Sequence, residues 1–191
     1  MDGDLGARGA IVHEDAQSVL AFWFALTPEQ HFGKDAELDA ALTERFGALR
    51  DAVLADSAAE WRGDPETLLA AIILLDQVSR NMHRGDARAY DGDTLALALT
   101  MEAIDKGWDM RLPPERRVFL YMPLMHAESL AVQHLSVRKF EALGVEENLR
   151  FAVEHRDVIA RFGRYPSRNA ALGRESTPEE QAYLSQPGAG W

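Results

Sequence analysis

Residues 65–85, "PETLLAAIILLDQVSRNMHRG", decide the fold class. Asp64-Pro65 is a helix start, with a capping carboxylate followed by a proline at the first helical position. The run that follows is apolar nearly all round, as expected of a helix at the centre of its fold rather than on its surface. Past Leu75 the pattern turns polar, and Gly85 stops it. Asp76 and Arg80 fall one helical turn apart, directly after a segment that must be buried.

Outward from this segment, only helix signals recur. "HEDAQSVLAFWFAL" predicts a helix with Val19, Leu20, Phe22, Trp23 and Phe24 as its apolar surface. Thr27, Pro28 and Gln30 form a capping box. From Asp35, the residues Leu38, Leu42, Phe46, Leu49 and Val53 recur at spacings of three and four. Downstream, Asp93 is expected to cap "TLALALTMEAIDKG", and Pro113-Pro114 opens "ERRVFLYMPLMHAESLAVQHL", with Pro123 kinking or dividing it. A brief helix is expected over 136–142, another over "VEENLRFAVEHRDVIARFG", and a last one after Thr177-Pro178. No stretch alternates with period two for long enough to make a strand. The expectation is an all-α, single-domain array of antiparallel helical hairpins over 13–185, with a flexible leader at 1–12 and a tail at 186–191.

The chain has 191 residues, a formal net charge of -11 and no cysteine. Its length suits one domain that buries roughly 70% of its unfolded surface. The acidic balance argues against nucleic-acid binding and against adsorption to an anionic membrane surface. The missing cysteine excludes disulfides, thiolate catalysis and zinc–sulfur sites. No signal peptide or membrane span is legible, so a cytoplasmic location is expected. No cofactor is implied, and no metal site either. His126 and His134 are eight apart, whereas a helical zinc pair needs four.

Four polar constellations occupy places where apolar residues would be expected. The first is Asp76, Arg80 and Asn81, either a helix-surface ion pair or groups reaching into a pocket. The second is His126 on an apolar helical face, with Glu128 two residues on. His126 is either a satisfied core residue or a neutral general base. The third is His155, which shares a core-facing stripe with Phe151, Val158, Ile159 and Phe162. The fourth is "RFGRYPSRNAALGR", 161–174, which gathers Arg161, Arg164, Arg168 and Arg174 without an acid. Guanidinium forks suit carboxylate and phosphate oxygens; the competing reading is that they pin the loop to local acids.

"FWF" near the start, "LLDQ..RN..RG" at 74–85, "FLYMPLMHAESL" at 119–130 and "HRDVIARFGRYPSRNAALGREST" at 155–177 together resemble a bacterial family catalogued as domain of unknown function 924. The resemblance spans about residues 16–185. It implies a helical, tetratricopeptide-like fold but no activity. The family's motif residues map onto Asp76, Gln77, Arg80, Asn81, Arg84, Gly85, His126 and Glu128. They continue through His155, Arg161, Gly163, Arg164, Pro166, Arg168, Asn169, Gly173 and Arg174. This chain departs from the family pattern at Val78-Ser79, where Phe-Pro is typical, and at Ser167, where histidine is common.

Two functional expectations stand beside a purely structural one. In the first, a pocket binds, or acts on, a small carboxylate- or phosphate-bearing anion. His126, His155, Glu128 and Asp76 are its catalytic candidates. Arg80, Asn81, Arg84, Arg161, Arg164, Arg168, Asn169 and Arg174 are its ligand-binding candidates. In the second, a tetratricopeptide-like scaffold binds a peptide or partner protein in a groove.

Overall fold

A computed structural model describes residues 2–190, with side chains from residue 9 onward. Among the described residues the chain is all-α. In order it forms α1 (Asp2–Trp23), α2 (Pro28–Phe32), α3 (Ala36–Ala55), α4 (Pro65–Ile72), a π-helical segment (Ile73–Val78) and α5 (Ser79–Met82). These are followed by α6 (Asp93–Asp105), α7 (Pro114–His126), α8 (Leu130–Leu143), α9 (Glu146–Phe162) and α10 (Pro178–Leu184). Helical backbone thus runs through the segment expected as a leader, whose side chains up to residue 8 lie outside the described residues. Of the expected tail, Gly190 sits against Ser167, where an added Cβ would come within 2.9 Å of the serine Cβ.

The continuous rod α4–π–α5 is the centre of the molecule and touches α1, α3, α6 and α7. Leu68, Leu69, Ile72, Ile73, Leu74 and Leu75 are fully buried in it. At roughly 1.5–3 kcal/mol per buried aliphatic side chain, this run anchors the fold. The capping boxes at Thr27 and Thr177 form, and Asp35 and Asp64 cap α3 and α4.

Three local expectations need correction. The central helix is not uniformly α: one extra residue per turn is accommodated over 73–78, and the Ser79 amide reaches back to the Leu74 carbonyl. Asp93 does not cap α6; Gly92 holds the cap position, and the Asp93 carboxylate is drawn instead to two guanidiniums. The break after α7 comes at Ala127–Ser129, not at Pro123, and α8 starts at Leu130 rather than 136. Pro123 is tolerated inside α7. The chain then turns extended at Ala127 (ψ 133°), which lifts Glu128 off any helix.

Candidate arginine-lined site

Asp76, on the π-helical segment, is fully buried and surrounded by donors. Nδ1 of His126 lies 2.8 Å from its Oδ1, Arg80 approaches to 2.8 Å, and Nε2 of Gln77 donates to Oδ2 at 2.6 Å. Burial alone would raise this carboxyl; the Arg80 charge, His126 and the Gln77 amide outweigh it and hold the group well below the usual carboxylate range. π-Helical turns recur at functional sites because they re-aim side chains out of the ordinary helical register.

Asp93, at the first turn of α6, joins two arginines that are distant in sequence. Arg80 donates to its Oδ2 at 3.1 Å, and so does Arg168. Arg168 also donates to the His126 carbonyl at 2.9 Å. Its guanidinium lies between the rings of Tyr90 and Tyr165, 4.7 and 4.6 Å from their centroids. Burial raises the Asp93 carboxyl and lowers Arg168, the latter with help from the neighbouring Arg80 charge.

His126 and His155 face each other with ring centroids 6.3 Å apart. Because an ionised Asp76 can only accept, Nδ1 of His126 carries the proton. Nδ1 of His155 lies 2.8 Å from the Phe151 carbonyl and is a donor for the same reason. Burial, then the Arg80 charge, holds His126 below its ordinary value. Burial, then the nearby His126, holds His155 down to about 3. Both imidazoles are therefore neutral near pH 7.

These groups border a cavity of about 370 Å³. Arg80, Arg84, Arg168 and Lys34 supply its positive charge, and Tyr90, Tyr165, His126 and His155 supply ring surface. No carboxylate is among the described residues that line it. Asp76 and Asp93 stand behind the arginines, while Asp39 holds Arg84 by two hydrogen bonds of 2.5 and 3.0 Å.

The remaining candidates lie elsewhere. Asn81 donates to Asp39. Arg161 pairs with Glu179, and Arg164 with Glu180, at 2.9 and 2.7 Å. Asn169 donates to Ser176 and Glu180. Glu128 orients neither histidine: it accepts the Tyr165 amide at 2.8 Å and grips Arg174 through both oxygens at 2.7 and 3.0 Å. The site also contains residues that sequence reasoning missed. Asp93 resembled a helix cap, and Tyr90, Lys34 and Tyr165 were not among the ligand-binding candidates. Their common signal is only spatial. No group of three or more His, Cys, Asp or Glu among the described residues is arranged to hold a metal ion.

Fold and site together define an all-helical protein with an arginine-lined cavity set at the end of its central helix. The profile of the family described as "Bacterial protein of unknown function (DUF924)" matches residues 19–188, and the chain belongs to that family. It is similar to a solved protein of unknown function from Agrobacterium tumefaciens at 39% identity and a TM-score of 0.85. The match covers 89% of this chain and 96% of that one. No curated protein matches the chain significantly. Among the described residues, no helix is long and apolar enough to cross a membrane.

Proposed function

We propose that the cavity binds a small anion bearing a carboxylate or phosphate group. The observation that carries this reading is the lining: Lys34, Arg80, Arg84 and Arg168 border a cavity without a single described carboxylate, in a chain whose net charge is -11. Such a balance concentrates positive potential at one place on an otherwise acidic protein, which favours an anion there over the surrounding surface. A volume of about 370 Å³ suits a small metabolite.

Lys34 tests this cleanly, because it is exposed and, among the described residues, its side chain has no ion pair or hydrogen bond that would tie it to the fold. Lys34→Ala is expected to change melting temperature by under about 2 °C, since a surface change is usually worth under about 0.5 kcal/mol. It should also weaken the stabilisation given by whichever small carboxylates or phosphates raise the wild-type melting temperature. If none of a panel of such anions stabilises the wild type, the reading fails.

A second reading, a scaffold that binds a peptide or partner protein, draws on a different face. Phe24, His31, Phe32 and Phe119 floor an open apolar pocket of about 520 Å³, and Phe32 is 60% exposed. Phe32→Ser would impair that role and leave anion binding intact.

A further inference from the structure

Among the described residues, His126 has one nitrogen committed and one not. Nδ1 gives its proton to Asp76, so Nε2 is the nitrogen left to titrate, on a ring that lines the cavity. Each element packed round this imidazole brings charge or titratable groups to it. The π-helical segment brings Asp76, α5 brings Arg80, α6 brings Asp93, α9 brings His155, and the segment after α9 brings Arg168.

The charges around the cavity do not cancel. Among the described residues its four cations are Lys34, Arg80, Arg84 and Arg168, and the carboxylates that hold the three arginines are Asp76, Asp93 and Asp39, one fewer than the cations. Glu128 does not close the gap, because Arg174 matches it. One positive charge is left over. A proton on His126 would make the surplus two, the charge of a sulfate or of a phosphate-ester dianion.

Resting on the anion-site reading above, we propose that the cavity takes its anion together with a proton: a tetrahedral dianion of the sulfate or phosphate-ester class seats against Arg80 and Arg168 and draws a proton onto Nε2 of His126. The physical cause is local. The guanidiniums on the cavity side disfavour a second positive charge on the ring. An anion seated between ring and guanidiniums offsets that repulsion and gives the new Nε2–H an acceptor. Asp76, held on Nδ1, then stabilises the imidazolium from behind. The same arrangement makes His126 a gauge of occupancy, since its charge follows the ligand. Linkage requires the converse, with acid tightening the grip on the anion.

Inorganic sulfate is the right probe, because it carries two charges and does not itself titrate near neutrality. At constant ionic strength set with chloride, sulfate affinity is expected to rise up to about tenfold per unit between about pH 8 and about pH 6. Calorimetry in two buffers of different ionisation heat should show uptake approaching one proton per sulfate. His126→Gln keeps a donor for Asp76 and removes the titration, so it should flatten the profile and abolish uptake. His134→Gln, at an exposed histidine that does not line the cavity, should leave both in place. If His126→Gln does not fold, NMR titration of the wild-type His126 ring with and without sulfate replaces it, and a ring titration that sulfate does not move overturns the assignment. Sulfate binding with a flat profile and no proton uptake overturns the proposal while leaving the anion site standing. Uptake that survives in His126→Gln overturns the assignment to His126. No sulfate binding across the range overturns this proposal, while the site reading then stands or falls on the panel of carboxylates and phosphates.

Discussion

His126 and His155 are neutral chiefly because they are buried, and this ties the stability of the molecule to pH. In an unfolded chain both titrate near 6.5. In the folded chain both are lower, His155 as low as about 3. Between those values the unfolded chain binds protons that the folded chain refuses, so stability must rise with pH across that window and fall on acidification. Each histidine contributes a slope of about 1.4 kcal/mol per unit where the difference is complete. Asp76 acts in the same direction but lower: its contribution is intact above about pH 4 and is lost below it. Asp93 acts in the opposite direction, because its folded carboxyl is raised; what it contributes below about pH 4 is lost as pH climbs above that. Urea titrations at about pH 7.5 and about pH 5.5 should therefore differ by about 1–3 kcal/mol, with the acid sample weaker. Equal stability at the two would contradict neutral, buried imidazoles.

The helix starts at Thr27, Asp35, Asp64 and Thr177 were legible because their chemistry is local: a capping side chain, with a proline or a glutamate or glutamine close behind, needs no tertiary partner. The π-helical segment was not legible, and the reason is physical. An inserted residue betrays itself by a slip of hydrophobic phase, and "AAIILL" is apolar on every face, so the slip leaves no trace. Asp76 and Arg80 stood out as groups stranded past a buried run, but their meeting with Asp93 and Arg168 depends on α6 lying against that segment. Gly92 is what permits it. A Cβ there would come within 2.4 Å of the Leu75 carbonyl oxygen, which is backbone and has no rotamer to escape into. Gly92→Ala should push the start of α6 off the central rod and cost about 1–3 kcal/mol. It should also move Asp93, the carboxylate that Arg80 and Arg168 share. Urea unfolding and sulfate titration read the two effects separately. A variant as stable as wild type with unchanged binding would show that the approach of α6 to Leu75 does not set the site.

At the scale of the whole molecule the core is in two parts. Most of the buried apolar residues form one cluster about α4 and the π-helical segment, while Val158, Ile159 and Tyr165, with Phe162 and Tyr183, form a small separate one. The small cluster carries the segment after α9, which leaves its helix through Gly163 in a left-handed conformation (φ 69°) and is braced from outside by Glu179 and Glu180. Such a satellite has less apolar surface to lose on opening, so it should open locally at a lower free energy than the central rod. Arg168 ties it to the rest through Asp93 and the His126 carbonyl, and Glu128 ties it through Arg174 and the Tyr165 amide. An anion held by Arg168 and Arg80 together would bridge the two parts and raise the cost of that opening. Amide hydrogen exchange is the measurement. Residues 163–174 should exchange faster than 65–82 in the protein alone, and sulfate should slow the first segment while leaving the second unchanged. Uniform exchange across both segments would mean that the two clusters open as one. Slowing confined to 65–82 would mean that the anion sits away from Arg168.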